Sequence, residues 1–356
     1  MSAITTGVTG RGAAERERVR FEGPDALERM ADLGWDELVL GQPAPDVTRT
    51  AGWLAAATDD RERSALRALG VVRDGRLAAG ILLARGRRLG LSILGEFGRA
   101  GTWYDLTPPA EDEEARAGLL APLAGERADL LVLSGVERES SFEHSLLTAF
   151  PGALREQSSF AYRLTLAAPP KRIRERQRAA RAAHRRAADG GDSLTVDWVT
   201  RWPDVEAELE GVLDLHRASF RDESVNGLSA PASRGRTLAV LADAGRAGRV
   251  RLMLARRGGR LLAFNVTLVE GGHALAFATG FDRKEDVPQL GWAASIATLE
   301  ALQGEGVETV DLGPGPAESY KYRLSDRVDR GRVIVPRSRL GRMAVAARRL
   351  RAGSRG

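Results

Sequence analysis

A segment near the end of the chain brings an acid, two phenols and two cations into one loop. The run Gly-Pro-Gly-Pro over residues 313–316 takes the backbone out of regular structure there. Loops held on a rigid scaffold are where binding and catalysis usually occur. The residues able to do chemistry are Asp311, Tyr320, Lys321, Tyr322 and Arg323. They predict a functional site, and the simpler alternative is a solvated connection between two strands.

Periodicity and turn residues predict the elements that position this loop. Apolar residues spaced by three and four predict a helix over residues 204–220, and glycine pairs separate alternating strands after it. The other predicted elements are strands over 249–255, 261–269 and 274–279, a helix over about 291–303 and a strand over 309–312. His216 falls on the apolar helix face and is expected to be structural. His273 falls in a hairpin turn and is expected to be solvated.

The first half of the chain shows the same order of elements. Its predicted strands span 67–72, 77–84, 88–94 and 130–133, and a helix over about 111–124 precedes the last of them. Corresponding hairpin turns lie about 184 residues apart, and the two final strands about 179. The spacing predicts a duplicated unit, which also accounts for a length of 356 residues.

Composition limits the chemistry and the compartment. The chain has no cysteine, which excludes disulfides, a thiolate nucleophile and a cysteine-ligated metal site. Its four histidines are far apart, so no metal is predicted. No run is apolar enough for a membrane span, and the first residues lack the apolar core of an export signal. A cytoplasmic protein without a transmembrane segment is expected.

Positive charge is concentrated in two segments. Residues 171–186 contain eight basic residues and one acid, and residues 330–356 contain nine arginines and no acid. Such segments attract RNA, anionic membrane surfaces or phosphorylated substrates. The last of them has apolar residues at helical spacing, which suit either an anionic membrane surface or packing on the protein itself. The predicted division is a disordered tail over 1–22, a first domain over 23–167, a basic linker helix over 168–192, a second domain over 193–335 and a basic C-terminal helix or tail over 336–356.

Several short motifs resemble a known family when read in order. They are residues 215–220, 251–255, 262–264, 280–282, 288–291, 311–313 and 320–323. On these motifs the second half resembles the GNAT-type acyltransferase domain of the CelD/BcsL branch, which is similar to the Fem aminoacyltransferases. The first half resembles the more divergent GNAT-like domain of that branch, with Asp105 at the position of its acid. The resemblance implies an α/β (α+β) fold of tandem GNAT-like domains, each a mixed, mainly antiparallel sheet flanked by helices.

The resemblance also implies an acyl donor, acetyl-CoA or another acyl-CoA, bound where two central strands splay apart. The start of the second predicted helix would then bind the pyrophosphate through its unpaired backbone N–H groups. The implied donor-binding residues are Gln289, Gly291, Trp292 and Ala293. Pro288 stands where the usual phosphate signature has Arg or Gln, which leaves the donor open between acyl-CoA and a Fem-like donor.

In such an enzyme the acceptor would attack the donor directly in a ternary complex, because no Gly-x-Ser-x-Gly or cysteine nucleophile is present. Asp311 can orient or deprotonate an acceptor amine or hydroxyl, or only cap its loop. Tyr320 and Tyr322 can protonate the leaving group, or only pack. The substrate-binding candidates are Lys321, Arg323, Asp282, Arg217 and Asp105.

Three functions therefore follow from the sequence. The first is acyl transfer from acyl-CoA to a small-molecule or glycan acceptor such as a cell-envelope precursor. The second is aminoacyl transfer from tRNA, in which the basic segment would contact RNA. The third is a scaffold without catalysis that binds polyanions through its basic segments.

Overall fold

The computed structural model describes residues 6–7, 16–98, 107–167, 175, 178, 194–220, 228–285, 290–315, 321 and 325–353. The chain forms two compact units that are interleaved in sequence. The first unit contains Met1–Phe160 and Val328–Gly356, and the second contains Ala161–Arg327. The end of the chain thus returns to the first unit after the second is complete.

The first unit is built on a sheet with strand order β1-β2-β3-β4-β5-β6-β13. All neighbours in this order are antiparallel except β5 and β6, which are parallel. Its strands are β1 Thr6–Gly7, β2 Arg16–Glu22, β3 Leu66–Arg73, β4 Arg76–Arg88, β5 Leu91–Glu96, β6 Leu130–Glu137 and β13 Asp326–Pro336, with the first part of β7 Leu154–Thr165. Its helices are α1 Ala26–Asp32, α2 Trp35–Leu40, α3 Ala51–Ala57, α4 Asp60–Ser64, α5 Glu113–Gly118, α6 Leu120–Gly125, α7 Ser141–Ala149 and α11 Arg339–Gly353, with a 3-10 turn at Val47–Arg49.

Helices cover both faces of this sheet, so strand residues of both parities are buried. One apolar cluster joins Leu69 and Leu133 to residues of α5, α6 and α7. Another joins Leu66 and Leu82 to α1 and α2, with Trp35 fully buried within it. Burial of this much apolar surface is the main source of stability of such a unit.

The second unit has strand order β12-β11-β10-β9-β8, and only β11 and β12 are parallel among these described pairs. Its strands are β8 Leu194–Val199, β9 Val250–Arg257, β10 Arg260–Glu270, β11 His273–Phe281 and β12 Thr309–Gly315, with the last residues of β7 beside β12. Its helices are α8 Trp202–Ser219, α9 Pro231–Arg246 and α10 Leu290–Gly304. α8 packs against β10 and β11, and α10 packs against β9, β10 and β11.

The two units repeat each other in detail, which confirms the predicted tandem α/β layout. In each unit the first hairpin carries one extra residue three positions after its turn, Ala78 in β4 and Leu262 in β10. In each unit a helix-containing connection then leads to a short parallel pair, which starts with Ile93 and Leu130 in one unit and His273 and Thr309 in the other. These features recur 179 to 184 residues apart, although the corresponding strands differ in length, with 13 residues in β4 and 11 in β10.

Two predictions for the first half are wrong. Residues 16–22 were expected in a disordered tail, but they form β2 and pair with β3. The helix expected over 111–124 is two short helices, α5 and α6, separated at Leu119. Pro122 lacks a backbone N–H and its ring clashes with the carbonyl of residue 118, so an uninterrupted helix cannot form there.

Candidate functional site

Strands β11 and β12 pair over three residues only. Their register joins His273 to Thr309 and ends at Leu275 and Asp311. Beyond this point β11 continues to Phe281 beside β10, and β12 continues to Gly315 without further described pairs to β11. In open α/β sheets, ligands bind at the carboxyl ends of strands where neighbours diverge. The divergence after Asp311 is therefore the place to look for a site in the second unit.

A β-bulge and a buried hydroxyl shape the end of β11. The register with β10 shifts between Val266 and Thr267, which leaves Phe277 as the extra residue of β11. Further along, the Oγ of Ser219 in α8 accepts the N–H of Phe281 at 2.8 Å. A Cβ on Gly280 would lie 2.8 Å from the same Oγ, so glycine permits this close packing. The bulge and Ser219 together fix the end of β11 to α8.

Helix α10 begins against the end of β11. A Cβ on Gly291 would lie 3.1 Å from Cδ1 of Phe281, so the first turn packs on that ring. This turn contains no acidic residue. Its first backbone N–H groups lack partners within the helix and lie at the positive end of the helix dipole. Trp292 packs on an apolar cluster and Ala293 is buried. An anionic group would therefore bind this turn through its backbone N–H groups and not through these two side chains.

Asp311 is the last residue of the parallel register and is only 6% exposed. Its Oδ1 accepts the N–H of Gly313 at 2.7 Å, and its Oδ2 lies 3.8 Å from Nε of Arg163. Gly313 has a φ of +76°, a conformation that favours glycine, so the carboxylate caps the turn that leaves β12. The capping role that the sequence allowed for Asp311 is present, and it leaves the carboxylate at the divergence of the strands.

Lys321 ties the segment after β12 back to that strand. Its Nζ donates hydrogen bonds to the carbonyl oxygen of Leu312 and, at 3.1 Å, to that of Pro314. Burial lowers the pKa of Lys321, and the nearby Asp311 carboxylate opposes that shift. A half-buried ammonium next to a carboxylate is typical of a functional centre as well as of a structural one. Tyr320, Tyr322 and Arg323 lie outside the described residues.

His273 was expected in a solvated turn, and that expectation is wrong. It is the first residue of β11, is buried, and its Nδ1 lies 2.8 Å from Oγ1 of Thr309. Burial lowers the pKa of His273, with the Asp311 carboxylate opposing and Arg163 adding to the shift. The turn is one residue tighter than the sequence suggested, at Gly271 and Gly272. His273, Thr309 and Arg163 are neighbours of Asp311 that motif reasoning missed.

His216 agrees with the structural role expected for it. It is buried in α8, its Nδ1 lies 2.8 Å from Oγ of Ser229, and its ring lies 4.9 Å from that of Phe220. Burial lowers the pKa of His216 to about 4. The imidazole is therefore neutral at pH 7 and forms part of the packing between α8 and the segment before α9.

The remaining predicted site residues lie apart from Asp311 or outside the described ranges. Asp282 accepts the N–H of Lys284 at 2.9 Å and pairs with Arg260, so it caps the turn after β11. Arg217 is exposed on α8. Asp105 and Gln289 are outside the described residues.

With this geometry established, comparison with known proteins identifies the fold. Residues 174–322 match a family described as an acetyltransferase (GNAT) domain. The chain has a tandem GNAT-like fold. No curated protein sequence matches the chain significantly. Within the described ranges there is no group of side chains that could hold a metal ion and no helix long and apolar enough to cross a membrane.

Several solved structures share this fold across most of the chain. The C-terminal domain (DUF2156) of a putative lysylphosphatidylglycerol synthetase from Agrobacterium fabrum has a TM-score of 0.55 and 15% identity, and covers 90% of this chain and 94% of that one. FemX has a TM-score of 0.54 and 12% identity, with coverage of 84% and 94%. L-PGS from Bacillus licheniformis has a TM-score of 0.51 and 14% identity, with coverage of 92% and 98%. At these identities the likeness is one of fold alone.

Proposed function

We propose that the second unit of this tandem GNAT-like protein is an acyltransferase that uses an acyl-CoA, most simply acetyl-CoA, as donor. The observation that carries the proposal is the divergence of β11 and β12 beside an acid-free helix start at Gly291. A thioester chain can lie between two strands that have lost their mutual pairing. A pyrophosphate can bind the first N–H groups of α10, which have no partners within the helix.

Donor binding in this proposal relies on backbone more than on side chains. Gly291 lets a phosphate approach the first turn closely, and the N–H groups of Trp292 and Ala293 follow it in the same turn. Gln289 would precede them at the helix start. Because the turn lacks an acid, the helix dipole is not neutralised there, and an anion is favoured.

The transfer step is proposed as direct attack. The acceptor nitrogen or oxygen attacks the thioester carbonyl carbon, the C–S bond breaks, and CoA leaves as a thiolate. Asp311 would orient the acceptor and take its proton, since its carboxylate lies where the strands diverge. Tyr320 or Tyr322 would supply the proton that the thiolate takes up. Lys321 and Arg323 are proposed to contribute to binding of the acceptor, a small molecule or a glycan such as a cell-envelope precursor.

Two other functions would use the same fold differently. The fold likeness to FemX, together with the basic run over residues 171–186, supports aminoacyl transfer from tRNA as a second candidate, in line with the resemblance to the CelD/BcsL and Fem branches. A scaffold without catalysis would bind polyanions and no thioester. Measuring which donor the protein binds distinguishes the three proposed functions.

A thermal-shift titration tests the proposal. Acetyl-CoA, longer acyl-CoAs and free CoA are compared with ATP as a polyanion control. Saturable stabilisation by a CoA thioester is expected, about 2.7 kcal/mol at a hundred times Kd, with none from ATP. Gly291→Glu should abolish the shift, because it adds a negative charge to the helix turn where the pyrophosphate would bind. Its Cβ would also lie 3.1 Å from Cδ1 of Phe281, so folding of this variant has to be checked.

The matched control is Gly235→Glu in α9, where a new side chain meets open space. It should keep the full response, and circular dichroism should show both variants folded. If no CoA compound shifts the melting temperature, the acyl-CoA proposal fails and charged tRNA becomes the donor to test.

A further inference from the structure

Helix α11 has one face on its own unit and another face in solvent. On the inner side, Val345 is buried in a cluster with Leu130 and Ile334, and Gly341 fits against the backbone of Asp129. Arg348 pairs with Glu156, and Arg349 donates to the carbonyl oxygen of Ala153 at 3.1 Å. These contacts fix which face of the helix points away from the unit.

The outer face of α11 is apolar. Leu340, Met343 and Leu350 are 57%, 68% and 77% exposed and recur at spacings of three and seven, so they lie along one side of the helix. Arg339, Arg342 and Arg351 are exposed in the same helix, and its sequence contains no acid. Exposed apolar residues on a monomeric protein are normally scattered singly, so three of them aligned along one helix indicate an interaction surface.

A fourth large exposed apolar residue lies on a neighbouring element of the same unit. Leu89 forms the tip of the β4–β5 hairpin, is 94% exposed, and follows two exposed arginines, Arg87 and Arg88. Its φ of +51° is a conformation that leucine rarely adopts, so the hairpin holds this side chain outward at a cost. The hairpin tip and α11 therefore have the same combination of residues, large exposed apolar side chains beside exposed arginines.

One carboxylate holds the two elements together. Asp129 accepts the N–H of Ser92, three residues after the hairpin tip, at 2.8 Å, and also the hydroxyl of Ser338, one residue before α11. The hydrogen bond from Ser338 lowers the pKa of Asp129 most, followed by that from Ser92 and by the charge of Arg87. Leu91 also packs on the cluster that contains Val345. The hairpin tip and the start of α11 therefore lie at the same end of the unit.

We propose that Leu89 and the outer face of α11 form a docking surface for an anionic lipid bilayer. An interfacial helix with apolar residues on one side and arginines beside them lies in the plane of a membrane, where its apolar face enters the headgroup region and its cations meet lipid phosphates. Anionic headgroups add attraction for each arginine near the surface. No helix needs to cross the bilayer.

The chemistry of the surface favours lipid over other occupants. A nucleic acid would neutralise the arginines but would leave three leucines and a methionine without a partner, and no aromatic side chain is present there for base stacking. A second copy of the chain would bring the same arginines together, at a repulsive cost. A bilayer with anionic headgroups matches both the charge and the apolar side chains.

Site-directed fluorescence tests the orientation directly. Because the chain has no cysteine, Met343→Cys can be labelled selectively with an environment-sensitive dye in the full-length protein. Vesicles of phosphatidylcholine with phosphatidylglycerol should raise and blue-shift the emission, and phosphatidylcholine alone should do so far less. The control is the same label at Val196→Cys in β8 of the second unit, where no change is expected on binding.

Co-sedimentation with the same vesicles measures the contribution of the surface. The triple variant Leu340→Gln, Met343→Gln, Leu350→Gln and the single variant Leu89→Gln should each bind more weakly, the triple variant by on the order of tenfold or more. Val196→Gln should bind like wild type, and melting temperatures check that all variants fold.

Three results would overturn the proposal. The dye at position 343 could stay in water while the protein sediments with vesicles, or the triple variant could bind like wild type; the basic run over residues 171–186 would then account for binding. Alternatively, light scattering could show a dimer that the triple variant abolishes, with no vesicle binding, and the surface would be an interface between copies.

Discussion

The two units share a layout, yet they treat the ends of their parallel strands differently. In the first unit the register of β5 and β6 ends at Gly95 and Val132, and the next side chain, Glu96, accepts the N–H of Ser134. The hydroxyl of Ser134 in turn accepts a hydrogen bond from Arg332 at 3.1 Å. In the first unit, these side-chain hydrogen bonds therefore occupy the position that corresponds to the end of the β11–β12 pairing in the second unit.

The helix that follows β5 in the first unit and the helix that follows β11 in the second unit also differ at their first turns. In the first unit Asp112 caps α5 by accepting the N–H of Ala115 at 2.7 Å, and Glu113 and Glu114 lie in its first turn. These charges satisfy and neutralise a helix start that could otherwise bind an anion. In the second unit α10 starts at Leu290 and Gly291 without an acid.

The third difference is a bulge. β4 and β5 pair in a regular register, whereas β10 and β11 pair around the extra residue Phe277. The two units share the order of their paired strands, on which the hydrophobic core of each depends. The diverging strand ends, the acid-free helix start and the bulge that would allow a donor to bind are features of the second unit. We therefore expect one donor site in the chain and not two, although the fold is repeated.

The largest expected effect tests whether the two strand ends differ in function. Asp311→Asn should lower turnover by about 10²–10⁴, because the amide cannot take a proton, while acyl-CoA binding persists. Asparagine keeps an oxygen that can accept the Gly313 N–H, so the turn should stay intact. The matched variant in the first unit, Glu96→Gln, should leave turnover unchanged. Equal turnover in Asp311→Asn and wild type would remove Asp311 from the chemistry.

Acid should distinguish the units by stability. The pKa of His216 in the folded state is about 4, below its ordinary value of 6.5. Between these two pH values the imidazole is protonated in the unfolded chain but stays neutral in the folded second unit. Stability contributed by the neutral imidazole is complete above pH 6.5 and is lost as pH falls toward 4, by about 3 kcal/mol over that range.

Thermal unfolding near pH 7 and near pH 5 measures this effect. His216→Gln should lose less stability on acidification than wild type does. His144→Gln, which removes an exposed histidine from the first unit, is the control for loss of one histidine. A His216→Gln profile parallel to wild type would mean that other groups cause the acid sensitivity.

The smallest effects concern glycines that pack on tryptophans. A Cβ on Gly245 would lie 1.8 Å from Cε3 of Trp202 in the second unit, and one on Gly80 would lie 2.8 Å from Cζ3 of Trp35 in the first. Urea unfolding should therefore show a loss of about 1–3 kcal/mol for Gly245→Ala and a smaller loss for Gly80→Ala. Gly235→Ala, in the same helix as Gly245 but facing open space, should gain up to about 1 kcal/mol. If Gly245→Ala were as stable as Gly235→Ala, Trp202 would be packed less tightly than the structure shows.

The repeated hairpins, helices and parallel strands could be predicted because they depend on local patterns. Several other elements were not predicted, among them β2, β7, β8, β13, α1–α4, α7 and α9. Glycine turns and alternating polarity predicted both hairpins, and their recurrence predicted the duplication. The errors were local too: Pro122 split one helix, and the turn before β11 proved too tight to include His273. The position of Asp311 at a strand end was predictable from its neighbours in sequence, but its contact with Arg163 was not, because those residues are far apart along the chain.

The sequence by itself determined the tandem arrangement, the strand end at Asp311 and the basic, acid-free C-terminal helix, since each depends on residues close together in the chain. Only the tertiary structure decided where that chain end goes. β13 pairs with β6 from Arg330 and Glu137 to Pro336 and Leu130, so residues after 328 complete the first unit. An alternating strand pattern says that a strand must pair and bury one face, but not which strand it pairs with, because backbone hydrogen bonds are the same for every partner.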